Sequence, residues 1–552
     1  EILSGLVGSE MCIRDRRPSA LQLFTAFNTS ARRWPGALRA ALAIIIPGSV
    51  AILIGHPDAV LLVSAGAFSV IYGEGHPYRT RRRIILTAGA LLTLAATVGS
   101  LIDGLVLTAL FTVALATVGA FMQNALRLPP PGTFFMVMVA GGSTMLRGIS
   151  PWEVAGWSLA GVAAAYVLGM SPRFWDPHGP EERAVSALEK AADAFVDSSS
   201  DFLAKHHQAQ SALSTAWQAL ADAGIVRGGR IRRASQASLV HRALSAQQRI
   251  VTHHQQVGGN SDDLSDAPTY VDPDRTTIPH TKPTMRYRIY RAAVGNSHAV
   301  VTAEKIALGG LATAFIGLAL GLNRPDWGAV SVLLLLQWGP DRVPGTIRGV
   351  QRMLGSVLGV CVFALIASFS PHGWALLLAL AFCQFCAEIL VVKNYALCVI
   401  FSTPLALLMG NSSGHLAQTI GQRMAEIGLS VVVAMLVLWL WKPDAQMLNH
   451  HRLQTRCFEA MAALLGALLI KTPEEALAQR RDLHYELLSE RRSIQSLATN
   501  RSDIDHFWRR HTALQTAGYY LLDFCVVNPL SQPSRAELDT LIEHITEAET
   551  RR

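Results

Sequence analysis

No Walker A sequence, no GxGxxG placed after a strand and no nucleophile elbow occurs in the 552 residues. Without those phosphate cradles and activated hydroxyls the chain gives no sign of ATP-driven pumping, and it reads as neither an enzyme nor a cofactor-binding protein. Cysteine is sparse. Of seven, only Cys383 and Cys386 form a CxxC, in an apolar helical run with no second ligand pair at zinc spacing, so neither a metal nor a redox role is expected. Charge is sparse as well: 16% of the residues are charged against 50% apolar, and the apolar ones are clustered, which is a membrane composition. The formal charge of +8 does not point to nucleic acid, because the basic residues sit mostly at the ends of apolar runs, where membrane topology accounts for them.

What the chain has instead is long apolar runs. Ile84–Ile102, Gly104–Met122, Trp152–Met170, Val301–Leu322, Val350–Phe369 and Met424–Trp441 are each near the roughly 20 residues that cross a hydrocarbon core about 30 Å thick. Ala59–Gly73, Thr133–Leu146, Trp327–Trp338 and Tyr395–Gly410 are shorter or broken by Gly and Pro. Their matching places in the two halves argue that they span too. Thr80, Arg82, Gly89, Trp175 and Pro177 recur as Thr346, Arg348, Gly355, Trp441 and Pro443 at one offset of 266 residues (346 − 80 and 441 − 175). A duplicated bundle of membrane helices is transporter architecture, since substrate sites tend to lie where two repeats face each other. Helix-breaking pairs at Pro47-Gly48 and Gly141-Gly142 are expected to be packing kinks, or else places where freed backbone faces substrate.

Basic residues fix the orientation. Arg32 and Arg33 precede the first span, Arg79 and Arg81 to Arg83 follow the second, and Arg127, Arg173, Arg342, Arg348, Arg352, Lys393 and Lys442 mark later alternate loops. By the positive-inside rule these loops, both termini and the central polar segment are cytoplasmic. The expected fold is therefore all-α: a polytopic protein of the bacterial inner membrane, with two parallel repeats of six transmembrane helices, each followed by a cytoplasmic helical domain. Its parts are a first bundle at 32–170, a helical domain at 171–257, a linker at 258–300, a second bundle at 301–441 and a C-terminal helical domain at 442–552. Residues 1–16 stand apart. Glu10 to Arg16 read like a translated transposase sequencing adaptor, so this segment is expected not to belong to the fold.

In the polar stretches, Val185, Leu188, Ala192, Phe195 and Phe202 keep helical spacing, which predicts amphipathic helices packed on one another. The pairs His206-His207, His253-His254 and His450-His451 fall here. Adjacent histidines diverge on a helix and cannot chelate together, and the expectation is that they sit on solvated polar faces.

The sharpest motifs lie in the second half: Pro325-Asp326-Trp327, Leu336-Gln337-Trp338-Gly339, Thr346 to Gly359, Lys393-Asn394-Tyr395-Ala396-Leu397, Thr403-Pro404 and Trp441-Lys442-Pro443. The chain thereby resembles the fusaric acid resistance protein-like superfamily, which includes aromatic acid exporters and is distantly similar to plant aluminium-activated malate transporters. The first half keeps Thr80, Arg82 and Gly89 but has no clear counterpart of the Asn-Tyr-Ala-Leu segment. The resemblance implies export of aromatic carboxylates or related organic anions. The expected partners are that anion, membrane lipid, further copies of the chain in a homo-oligomer and a periplasmic adaptor protein.

Residue patterns nominate a pathway. Arg348 and Arg352 are i,i+4 and share a helix face that Gly355 and Gly359 continue as a flat strip for another helix, so a cationic face near Lys393 can attract a carboxylate. Arg82 holds the place of Arg348 in the first half, and Tyr395 and Gln337 offer hydrogen bonds. The competing reading of the arginines is plain topology, binding anionic lipid headgroups. Glu388 and Glu426, in apolar runs, are candidates to carry a proton in antiport, while Arg39 and Lys305 are expected to snorkel. A passive anion channel and a non-transporting scaffold or envelope-assembly protein remain the alternatives to a secondary exporter.

Overall fold

The computed structural model describes residue 24 and residues 33–550 except 130, 147, 198–201, 228–229, 258–282, 338, 392, 410–415 and 501–504. The expectations for residues 1–16 and for most of the linker fall outside that range, as does Trp338 of the Leu336-Gln337-Trp338-Gly339 motif. Among the described residues the backbone is helical, apart from loops and one two-residue antiparallel ladder pairing Val226–Arg227 with Arg230–Ile231. Helices α1 (Trp34–Leu53), α2 (Ala59–Tyr72), α3 (Tyr78–Ser100), α4 (Leu105–Leu126), α5 (Phe134–Ser143) and α6 (Pro151–Met170) are apolar. Polar helices α7 (Gly179–Val196), α8 (Phe202–Ala223) and α9 (Ala237–Val257) follow, then the short α10 (Met285–Ala292). A second apolar set comprises α11 (His298–Ala319), α12 (Pro325–Leu336), α13 (Arg342–Ser368), α14 (Trp374–Leu390), α15 (Tyr395–Met409) and α16 (Leu416–Leu440). The chain ends in α17 (Ala445–Leu468), α18 (Leu477–Asn500), α19 (Asp505–Val527) and α20 (Arg535–Thr550).

Among the described residues seven helices, α1, α3, α4, α6, α11, α13 and α16, are long and apolar enough to cross a membrane. Five others, α2, α5, α12, α14 and α15, are apolar but only 10–17 residues long. Local chemistry sets the boundaries. Ser150 caps α6 by accepting from the Glu153 amide at 3.2 Å while Glu153 returns a bond to the Ser150 amide, and Pro151 opens the first turn. Ser297 caps α11 in the same way through the Val300 amide. At Pro47-Gly48 helix α1 runs on through the proline, and Gly48 packs closely against the Leu377 side chain of α14. Freed backbone groups in a membrane helix are re-satisfied locally, so proline does not end it.

The chain divides into two compact units. One holds both apolar sets. Its helices interlock reciprocally, for α1 packs on α14 and α11 packs on α4, so the first helix of each set lies against the fourth of the other. The cores are mixed accordingly: Leu377, Leu380 and Leu405 join Ile44, Val60 and Phe68, while Ala116, Ala120 and Val137 join Ile306, Leu333 and Leu438. Large apolar side chains such as Val118, Val167, Leu365 and Leu440 face outward. That surface is unsustainable in water and natural in hydrocarbon.

Lys305 does not snorkel. It is buried and its Nζ donates to the Leu438 carbonyl at 2.9 Å, near the end of α16. Arg39, one repeat offset earlier, instead pairs with Glu74 at 2.6 Å, and Arg81 holds the other carboxylate oxygen at 3.0 Å.

The second unit gathers α7–α9 and α17–α20. Val185, Leu188, Phe195, Leu213, Trp217 and Ile250 form one core, and Met461, Leu464, Leu487, Leu514 and Leu522 another. The expectation that the histidine pairs are solvated is corrected here: His206, His207, His254 and His450 are buried, His253 is half-buried, and of the pairs only His451 is exposed. Their faces meet other helices of the unit. His206 stacks on His254 with centroids 4.1 Å apart and edges onto Tyr519, His254 Nδ1 bonds Asp523 at 2.7 Å, and His207 stacks on His511.

Candidate functional site

The short helices matter most. A helix rises about 1.5 Å per residue, so one of a dozen residues cannot cross the hydrocarbon core, and its end must stop inside protein or at a cavity. α2, α5, α12 and α15 all contribute to one cavity of about 60 Å³ in the apolar unit, completed by residues of α3, α6, α13 and α16. The first set supplies an apolar wall, including Leu61, Phe134, Met138 and Val154. The second set supplies charge: Arg324, Asp326, Arg352 and Arg423, with Trp327 among them.

Arg324 grips Asp326 with two parallel bonds, Nε to Oδ1 at 3.0 Å and Nη2 to Oδ2 at 2.9 Å, the geometry a planar guanidinium favours. Its guanidinium carbon also lies 4.2 Å from the centre of the Trp327 ring, and that of Arg423 lies 4.7 Å from the same ring. Cations are attracted to an aromatic face, most strongly when desolvated. Arg352 Nη2 donates to Ser331 Oγ at 3.3 Å. Ten residues into α13, Arg352 lies about 15 Å along the helix, half the thickness of a hydrocarbon core.

These charges are out of solvent: Asp326, Arg352, Arg423 and Glu426 are each at most 3% exposed. Burying an ion in a membrane protein costs on the order of 2.5–3.5 kcal/mol or more, and such groups line functional paths for that reason. Among the described residues, Arg423 Nε and Nη1 and Arg352 Nε have no hydrogen-bond partner. Glu426, three residues beyond Arg423 on α16, accepts from the Arg324 backbone, while its Oε2 is buried without a partner. Three guanidinium groups thus face two carboxylates, leaving the cluster one positive charge in excess. Chemically this is a place for one anionic group with an apolar body beside it.

Of the residues nominated from sequence, Arg352 lines the cavity and Glu426 adjoins its charged wall. The others lie outside its lining, although Tyr395 sits within the field of Arg352. Arg348 is half-buried a turn before Arg352, and Arg82 is exposed on α3. Gln337 is buried at the end of α12, where its carbonyl accepts from Asn124 Nδ2 at 3.0 Å. Glu388 is buried in α14, Lys393 lies in the turn after it, and Tyr395 opens α15 with its hydroxyl buried. The flat strip of Gly355 and Gly359 is where α15 lies, with a side chain at 359 set to meet Thr403 Cβ at 2.8 Å.

Sequence reasoning did not assign Arg324, Asp326, Trp327 and Arg423 to the site. A signal existed, since Arg423 and Glu426 are the i,i+3 charges of an otherwise apolar helix. At the repeat offset Arg324, Asp326, Trp327, Arg352 and Arg423 correspond to Asp58, Val60, Leu61, Leu86 and Trp157, so the repeat carries no second copy of the charged set.

An all-helical membrane protein whose short helices enclose a buried charged cavity is transporter-like in class. Residues 311–437 match the family model described as fusaric acid resistance protein-like, a span that holds every charged residue of the cluster and bears out the resemblance drawn from the second half. The chain is 23% identical, over 89% of its own length and 85% of the relative's, to the uncharacterized membrane protein YvaC of Bacillus subtilis (strain 168). No solved structure matches.

Proposed function

We propose that the protein is a secondary transporter of small organic monoanions with an apolar body, aromatic carboxylates foremost, and that it exports them across the bacterial inner membrane. The observation that carries this reading is the set of half-buried Arg324 and buried Trp327, Arg352 and Arg423 facing an apolar wall at the meeting of the short helices. The guanidinium groups suit a carboxylate; Leu61, Phe134 and Met138 suit a ring. A single excess positive charge favours a monoanion over a dicarboxylate. The 266-residue offset and the reciprocal packing of α1 on α14 and α11 on α4 support two parallel six-helix repeats, with the α7–α9 and α17–α20 unit on the cytoplasmic side.

The cavity draws its lining from both apolar sets, which supports a carrier whose two repeats move about the site over a permanently open pore. The test is benzoate flux in proteoliposomes against aliphatic mono- and dicarboxylates, for the wild type, Arg352→Ala and Arg352→Lys. Removing a desolvated charge-assisted contact costs on the order of 1.5–3 kcal/mol, so the alanine variant is expected to lose about tenfold or more of its affinity, with partial rescue by lysine. Flux that never saturates would replace the carrier with a passive anion channel. Unchanged flux per inserted molecule in Arg352→Ala would remove the arginine from the site.

A further inference from the structure

Asp326 and Glu426 are the two carboxylates of the charged cluster, and they are held differently. Asp326 is locked by both bonds from Arg324. Glu426 has one bare, buried oxygen, Oε2. Its surroundings can be named element by element. On its own helix it faces Arg423; α12 and the residue before it present Asp326 and Arg324; α13 presents Arg352, within the field of Arg423. Of the other elements beside α16, α15 shares the cavity wall with Arg423 and carries ionisable side chains only at Tyr395 and Cys398 in its first turn, while those of α11, His298, Glu304 and Lys305, lie in its first eight residues, toward the opposite end of α16, where Lys305 bonds the Leu438 carbonyl.

An anion arriving at Arg352 and Arg423 brings a third negative charge into a cluster that already holds two carboxylates. Like charges at close range disfavour each other's ionised forms, most strongly where water is excluded. Asp326 cannot yield, because a proton there would strand Arg324. Glu426 can: a proton on Oε2 neutralises the repulsion and turns an unpartnered acceptor into a donor.

We propose, resting on the reading of the cavity as an anion site, that Glu426 takes up a proton as the anion binds, so that anion and proton cross together. Linkage makes the effect reciprocal, and a proton on Glu426 strengthens anion binding by the same factor. The sign is opposite to the exchange of proton for anion expected from the sequence. One cycle moves one negative and one positive charge the same way, so transport is electroneutral, driven by the gradient of the acid itself.

The experiment is calorimetric titration of the full chain in detergent with benzoate, in buffers of different ionisation enthalpy, across about pH 6 to 8, where benzoate stays ionised. The wild type is expected to take up protons on binding, with affinity rising as pH falls by up to about tenfold per unit. Glu426→Gln is expected to bind without proton uptake and without that slope, and Glu426→Asp to retain both. Proton release, or binding with no proton change in the wild type, overturns the coupling and leaves the anion site standing. No benzoate binding by the wild type overturns the site itself. Should Glu426→Gln fail to fold, the wild-type proton count alone decides.

Discussion

A missing methyl at Gly141 sets how closely α5 approaches the charged pair. A Cβ there would meet the Asp326 Cβ at 2.7 Å, closer than carbon atoms pack, whereas one at Gly142, which lines the cavity, would meet nothing within 4 Å. Gly141→Val is therefore expected to displace Asp326 from Arg324 and weaken benzoate binding by about tenfold or more, since overpacking a tight site costs about 1–3 kcal/mol. Gly142→Ala is expected to bind nearly as the wild type does. Calorimetry on the two purified variants checks the contrast, and equal losses would mean that Gly141 has no special bearing on the ion pair. The same contact explains how much of the site could be read from the chain. Arg352 was visible because Arg348 precedes it by one turn, yet the partners that define its surroundings, Arg324, Asp326 and Arg423, come from two other helices. No local spacing links them. Only the approach of α12, α13 and α16 does, and helix packing of that kind leaves no period in the sequence.

Elements were more legible than contacts. The hydropathy runs anticipate the long helices, because a membrane demands about 20 apolar residues in sequence. The short helices were recognisable only through their counterparts in the other half. What sequence could not show is that the first helix of each set packs on the fourth of the other, or that Pro47 leaves α1 unbroken. Gly355 and Gly359 mark a strip open to another helix, the structure lays α15 there, and that crossing makes a prediction at this scale. A side chain at 359 would meet Thr403 Cβ at 2.8 Å and the Ile400 carbonyl at 2.9 Å, and Thr403 lines the cavity. Gly359→Leu is expected to destabilise the protein by roughly 1–3 kcal/mol or more as α15 is forced away. Gly156→Leu, on an exposed face of α6 with nothing within 4 Å, is expected to be close to neutral. Thermal unfolding of both in detergent compares them, and a smaller loss for Gly359→Leu than for Gly156→Leu would refute the close crossing.

At the scale of the whole molecule, the polar unit is built to be sensitive to acid. Burial holds the imidazoles of His450 and His484 down to about 4 and that of His206 well below its ordinary value, so each is neutral in the folded unit. In the unfolded chain they titrate near 6.5. Between those values the unfolded state binds more protons, so stability is fully present above about pH 6.5 and is lost as pH falls toward about 4, by up to about 1.4 kcal/mol per pH unit per histidine. Asp523, whose carboxyl burial pushes up despite its bond to His254, and Glu181, which burial also pushes up, work the other way, but they are two groups against these three imidazoles and that of His451, which burial also holds down. The burial that causes this was hidden in the sequence, where Gln, Arg and His make the helices look solvated; each histidine is satisfied or stacked because α8 and α9, and α17, α18 and α19, meet. The prediction is that the calorimetric transition of this unit, followed in the full-length protein, falls in temperature from about pH 7.5 to 5. His484→Phe should flatten the slope, because it removes one of the protonation sites that open the unit. A transition that rises on acidification, or a His484→Phe slope as steep as that of the wild type, would show that the buried histidines do not control it.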